Sequence, residues 1–295
     1  MTSRMFLYQD RVRWWRQILA IIRIDLRKTF FAKRGLWIYF LAFAPEIPMV
    51  GHWIFSPGKP GSIYPPNYTG DTLGQDVQIF AGIFQLFYLR VAIFFGCLGI
   101  FLNLFRGEMM DKSLHYYMLA PVRREVLVAG KFLSGVLAAV VIFNGSVMLQ
   151  FPAMFWHHGR ELMHAYMFDG PGMSHLISYF VAATLACVGY GSLFLAAGVL
   201  FRNPLVPAAA LLLWESINGF LPALLKKISV IYWLQSICPV AVPTPRGNNI
   251  MSLLVVDINP APAHVAIANL LLISGFVVVW AALRVRRIEI SYGAE

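Results

Sequence analysis

Six apolar runs, at residues 36–55, 78–105, 132–156, 176–201, 205–225 and 265–283, dominate this 295-residue chain. A helix needs roughly twenty apolar residues to cross a hydrocarbon core of about 30 Å. Inside lipid the backbone must satisfy its own hydrogen bonds, so spans of this length fold as helices. With 59% apolar and only 13% charged residues, the remainder of the chain cannot cover such runs with a polar shell. The expected fold class is therefore all-α, a polytopic membrane protein with six transmembrane helices. Three parts are expected: an interfacial N-terminal segment (1–34), the membrane domain (35–283) and a short tail (284–295).

The positive charge is distributed unevenly along this frame. Nine Lys and Arg precede Gly35; Arg106, Lys112, Arg123, Arg124 and Lys131 lie between the second and third runs; Arg202 follows the fourth; and Arg284, Arg286 and Arg287 follow the last. The opposite side holds only Lys59, Arg160, Lys226, Lys227 and Arg246. Cytoplasmic loops carry the excess of Lys and Arg, which predicts a multi-pass protein of the cytoplasmic (inner) membrane with both termini cytoplasmic. The net charge of +10 is then explained by topology and anionic lipid, with no nucleic acid required. Cys97, Cys187 and Cys238 show neither paired nor metal-ligand spacing.

Within 1–34, Trp15, Ile18, Leu19, Ile22, Leu26 and Phe30 recur at three- and four-residue steps, with Arg13, Arg16, Arg23, Arg27 and Lys28 between them. This predicts an amphipathic helix lying at the inner interface, its apolar face in the acyl boundary. Arg23 and Asp25 interrupt the apolar stretch and argue against a cleaved signal peptide. On the outer side, 56–77 is rich in Pro and Gly. The 222–264 loop contains an apolar stretch at 224–237, with Tyr232 and Trp233, that predicts a short helix dipping into the outer leaflet before Pro239.

The loop at 106–131 reads RGEMMDKSLHYYMLAPVRREVLVAGK. It is polar enough to leave the membrane but keeps Leu114, Tyr117, Met118 and Val122, a pattern suited to a short helix that docks in a partner's groove and stops at Pro121. The order Glu108, Ser113-Leu114, Met118-Leu119, Pro121-Val122, Arg124 and Gly130-Lys131 ahead of a span resembles the signature loop of ABC type-2 transporter permeases. Lys112-Ser113 stands where that family has Gly-Thr, and Arg123 where Ser is common.

The resemblance implies a cytoplasmic coupling helix at about 111–120 that presses on a separate ABC ATPase subunit, with Glu108, Asp111, Leu114, Met118, Pro121, Val122 and Arg124 as contact or positioning residues. It also implies a second permease copy, in a homodimer or heterodimer. The chain has no GxxxxGK[ST] phosphate loop, because Glu125 stands where the first Gly would be. No cofactor is expected on this chain; ATP and Mg belong to the partner, and the chain is expected not to be an enzyme. The alternative is a permease-like mechanotransmission or sensory subunit that acts on an extracytoplasmic accessory protein without moving a solute. A membrane-embedded enzyme would need clustered catalytic groups at one face, which the dispersed acids do not supply.

Ionisable residues within spans face a cavity or one another and are functional candidates by default. Glu46, Arg90 and Glu215 lie near mid-depth of the first, second and fifth runs, where they line a translocation path or pair within the membrane. Glu46 and Arg90, on consecutive antiparallel helices, are a possible pair. Pro45 and Pro48 flank Glu46 and predict a kinked or broken first span. After the third run, His157, His158, Glu161 and His164 form HHxxExxH. On a helix, His157, Glu161 and His164 would share a face that could hold a metal. The pattern lacks the HExxH order of zinc peptidases, and solvated interfacial histidines account for it equally well, so no metal is assigned.

Overall fold

The computed structural model describes residues 2–31, 35–55, 72–108, 123–201, 203–242 and 261–285. The helices are α1 (Thr2–Phe31), α2 (Leu36–Phe43), α3 (Glu46–Ile54), α4 (Thr72–Leu102), α5 (Arg124–Phe155), α6 (Arg160–His164), α7 (Gly172–Leu200), α8 (Leu205–Ser216), α9 (Ala223–Lys226), α10 (Val230–Ile237) and α11 (Ala263–Val285). No strand occurs among the described residues. α4 takes a wider π winding over Ile83–Ile93 and ends in a second π turn, Asn103–Gly107.

Among the described residues, four helices are long and apolar enough to cross a membrane: Thr72–Leu102, Arg124–His158, Gly172–Leu200 and Ala263–Val285. The chain is a multi-pass membrane protein. The remaining two expected spans take other forms. The first is two helices of 8 and 9 residues, broken at Ala44 and Pro45. The fifth is a helix of 12 residues that passes into a 3₁₀ turn, Ile217–Phe220. At about 1.5 Å per residue, α8 reaches about 18 Å, short of a full crossing.

The break at Pro45 is compensated by α5. Proline removes a helical donor and leaves carbonyls without their intrahelical partner. Here the Ala42 carbonyl accepts from Ser146 Oγ and, at 3.2 Å, from Gln150 Nε2, both on α5. Neighbouring polar side chains thus re-satisfy backbone that lipid could not.

α7 is the most enclosed of the four long helices and packs against α4, α5, α10 and α11. Its contact with α4 depends on glycine. A Cβ at Gly191 of α7 would stand 2.5 Å from Phe101 Cζ, and one at Gly135 of α5 would stand 2.6 Å from Phe101 Cε1. The ring of Phe101 therefore fits between two helices that lack a side chain opposite it. Nearer the other end of the bundle, Phe80, Phe84, Phe151, Phe155 and Tyr179 form an aromatic core with centroids 4.6–6.2 Å apart. α11 differs from α7 in exposing Leu271, Leu272, Phe276, Val279, Trp280 and Leu283.

α1 does more than lie on a surface. Among its described side chains the most enclosed are Ile21 and Asp25, outside the stripe expected to enter lipid, and α1 packs on α5. Trp15 and Leu19 of that stripe remain exposed. The short helix expected within 224–237 is present as α10, which buries Val230, Ile231, Trp233, Leu234 and Ile237 against α7 and α11.

Candidate functional site: a charge cluster at the root of the 106–131 loop

Three segments that meet where the 106–131 loop leaves the bundle each contribute charge. Glu108 follows the π turn at the end of α4, Lys131 lies two turns into α5, and Asp25 and Lys28 lie on α1. Lys131 Nζ stands 2.7 Å from Glu108 Oε2 and 3.5 Å from Asp25 Oδ2, and Lys28 Nζ stands 3.0 Å from Glu108 Oε1. Ser134 Oγ, one turn along α5, donates to Asp25 Oδ2 at 3.1 Å. The Asp25 and Lys131 side chains are fully enclosed, whereas that of Lys28 is 55% exposed.

The local sequence accounts for this arrangement. Positions 21, 25 and 28 fall on one face of α1 at helical spacing. Gly130 lets α1 approach, since a Cβ there would meet Ile21 Cδ1 at 3.1 Å. The following residue, Lys131, is thereby enclosed and needs acids within reach. Two acids and two bases compensate one another, as buried charges require. Burial pushes the Asp25 carboxyl above its ordinary range, and Lys131 opposes that shift. Two further contacts fasten the start of α5. Arg124 Nη1 donates to the Val285 carbonyl at 3.2 Å, and the Arg123 guanidinium lies 4.8 Å from the centre of the Trp14 ring.

Of the residues expected to couple to an ATPase, Glu108 and Arg124 are therefore held at the two ends of the loop. Asp111, Leu114, Met118, Pro121 and Val122 lie outside the described residues. From the sequence Asp25 stands out only as a break in the apolar stretch, not as a site residue. The available signal was an acid on the same helical face as Ile21 within a strongly basic segment.

The intramembrane candidates separate. Arg90 Nη1 donates to the Glu215 backbone carbonyl at 3.2 Å, and Glu46 is not among its partners, so the Glu46–Arg90 pair is not formed. The Glu215 carboxylate accepts from Ser229 Oγ at 2.7 Å and from the Val230 and Ile231 amides at 3.0 Å each. It caps the N-terminus of α10, where unpaired N–H groups and the helix dipole favour an anion. Glu215 thus holds a structural junction between α8 and α10, with Arg90 braced against the same turn. Glu46 opens α3 at the proline break, and its Oε1 is buried without a hydrogen-bond partner.

The HHxxExxH residues do not share one face. α5 ends in a 3₁₀ turn, Trp156–His158, and Gly159 adopts φ +82°, so the chain changes direction between His158 and Glu161. His157 and His158 turn inward; Glu161 and His164 are exposed.

No protein-family model matches this chain, and no curated protein is significantly similar to it.

Proposed function

We propose that the chain is the membrane permease subunit of an ABC exporter, driven by a separate ATPase through the 106–131 loop. The supporting observation is the charge cluster at the loop's root. Glu108 and Lys131 join the two ends of the loop in a contact of 2.7 Å, and Asp25 ties both to α1 through Lys131. A push on a loop anchored in this way is delivered to α4, α5 and α1 together, with little lost in bending the attachment. The order of Glu108, Pro121-Val122, Arg124 and Gly130-Lys131 adds the resemblance to ABC type-2 permeases.

In this reading the broken α2–α3 pair and the α8–α10 segment are the first and fifth of six passes, and both termini face the cytoplasm as the Lys and Arg distribution requires. The exposed apolar face of α11 contacts lipid or a second permease copy. ATP-driven closure of the ATPase dimer then reorients the bundle around a path between the two halves.

Affinity purification of the tagged chain from native membranes tests this directly. The expected result is recovery of a P-loop ATPase, lost when 111–122 is deleted. A lone chain with intact activity would refute the proposal.

A further inference from the structure

At the far end of α5, about 39 Å from Lys131 at 1.5 Å per residue, three imidazoles converge on one carboxylate. Asp76, in the first turns of α4, has its Oδ1 2.9 Å from His52 Nε2, and its Oδ2 3.0 Å from His157 Nε2 and 2.8 Å from His158 Nε2. The four side chains are 9%, 0%, 5% and 5% exposed for His52, Asp76, His157 and His158. They come from three separate segments: the end of α3, the start of α4 and the turn after α5.

We propose that His52, Asp76, His157 and His158 form a Zn²⁺ site. Hydrogen bonding alone leaves this cluster incomplete. Both ring nitrogens of His157 are buried without a hydrogen-bond partner, although its Nε2 lies against Asp76 Oδ2. A neutral imidazole has one N–H and one lone pair. With a cation at the centre, the inward Nε2 atoms present lone pairs and the carboxylate supplies an anion, so all the inward groups are satisfied at once.

Three nitrogens and one oxygen are a tetrahedral Zn²⁺ donor set, with bonds of about 2.0–2.2 Å. Mg²⁺ and Ca²⁺ prefer all-oxygen shells, and the cluster has no thiolate for a softer ion. The ligand atoms of His52, Asp76 and His157 already lie within 4.8 Å of one another. A tetrahedral site with such bonds needs them about 3.3 Å apart, so binding would draw these side chains inward, with His158, 2.8 Å from Asp76 Oδ2, as the fourth ligand.

Gly159 makes the site possible by ending the helix at His158. An open pocket lined by His158, Gly159, Arg160, Glu161 and Leu162 lies beside the cluster and shares His158 with it. Bound metal would staple the broken first segment, through His52 on α3, to the ends of α4 and α5.

The test uses the full-length chain purified in detergent, stripped with EDTA and titrated with Zn²⁺ in competition with a chromophoric chelator. It does not depend on any ATPase, so its outcome is separate from that of the transport reading. One Zn²⁺ per chain is expected, with a rise in melting temperature, and Co²⁺ substitution should give the visible bands of a tetrahedral site. His157→Gln, which keeps a polar side chain of similar size, and Asp76→Asn should each weaken binding at least tenfold, while His164→Ala, outside the cluster, should leave it unchanged. Absence of stoichiometric Zn²⁺ on the wild-type chain would overturn the proposal, as would equal loss of binding in His164→Ala.

Discussion

The two ends of α5 bury ionisable groups in opposite ways. At the Lys131 end, two acids meet two bases, and Ser134 adds a hydroxyl donor to Asp25. At the His157 end, three imidazoles share one carboxylate, and ring nitrogens of His157 remain without a hydrogen-bond partner. The first arrangement balances its charges within the chain and ties α1, α4 and α5 together. The second gathers three imidazoles on a single carboxylate, the geometry on which the proposed Zn²⁺ site rests. A buried charge set that closes on itself fixes helices, whereas one that does not is where a ligand enters the account.

The largest expected effect comes from breaking the closed cluster. Lys131→Met leaves Asp25 and Glu108 enclosed without their shared cation and should cost about 3–5 kcal/mol, because uncompensated buried charge is strongly destabilising. Thermal unfolding in detergent measures it. Adding Asp25→Asn and Glu108→Gln to the same chain should recover most of the loss, and failure to recover would mean that the cluster is not self-compensating. Gly191→Ala should follow at about 1–3 kcal/mol, since its methyl meets the Phe101 ring and overpacking carries that cost. This is a packing control on the same bundle, and charge neutralisation should not rescue it.

Glu215→Gln keeps an oxygen for the α10 amides but removes the charge, and should cost about 1 kcal/mol, read as local loss of hydrogen-exchange protection in 229–237. Full ATPase stimulation in this variant is expected, in keeping with a structural cap. The smallest effect belongs to Lys28→Ala. Lys28 approaches the same Glu108 as Lys131 but is 55% exposed, and exposed pairs contribute about 0–1 kcal/mol. Equal losses in Lys28→Ala and Lys131→Met would erase the distinction between enclosed clamp and surface pair.

Much of this architecture was legible in the apolar runs. Continuous hydrophobicity over 132–156 and 176–201 leaves a chain little choice but to form long helices, and α5 and α7 follow. Pro45 announced the break in the first segment, because a missing donor acts locally. The shortness of α8 was less visible: apolar residues continue past Ser216, but the Glu215 carboxylate is used to start α10, and that use depends on a tertiary contact with Ser229, Val230 and Ile231.

The same reason hid the two clusters. Asp25 and Lys131 are far apart in sequence, and only the packing of α1 on α5 gives them a shared purpose. His157 and His158 stood out as a motif, but helical spacing placed His157 on a face with Glu161 and His164. Gly159 reverses the chain before Glu161, and the actual neighbours, His52 and Asp76, come from other segments. Sequence spacing reads groups on one continuous helix and has no access to those that meet across a fold.

The central claim is that the clamp at Glu108 and Lys131 anchors a loop that receives force from an ATPase. Site-specific photo-crosslinking from positions 114 and 118 in native membranes tests it most directly. The account predicts a crosslink from both positions to a P-loop ATPase, weakened by Lys131→Met even where the chain is still inserted. Crosslinks confined to lipid or to this chain itself, with no ATPase captured from either position, would contradict it.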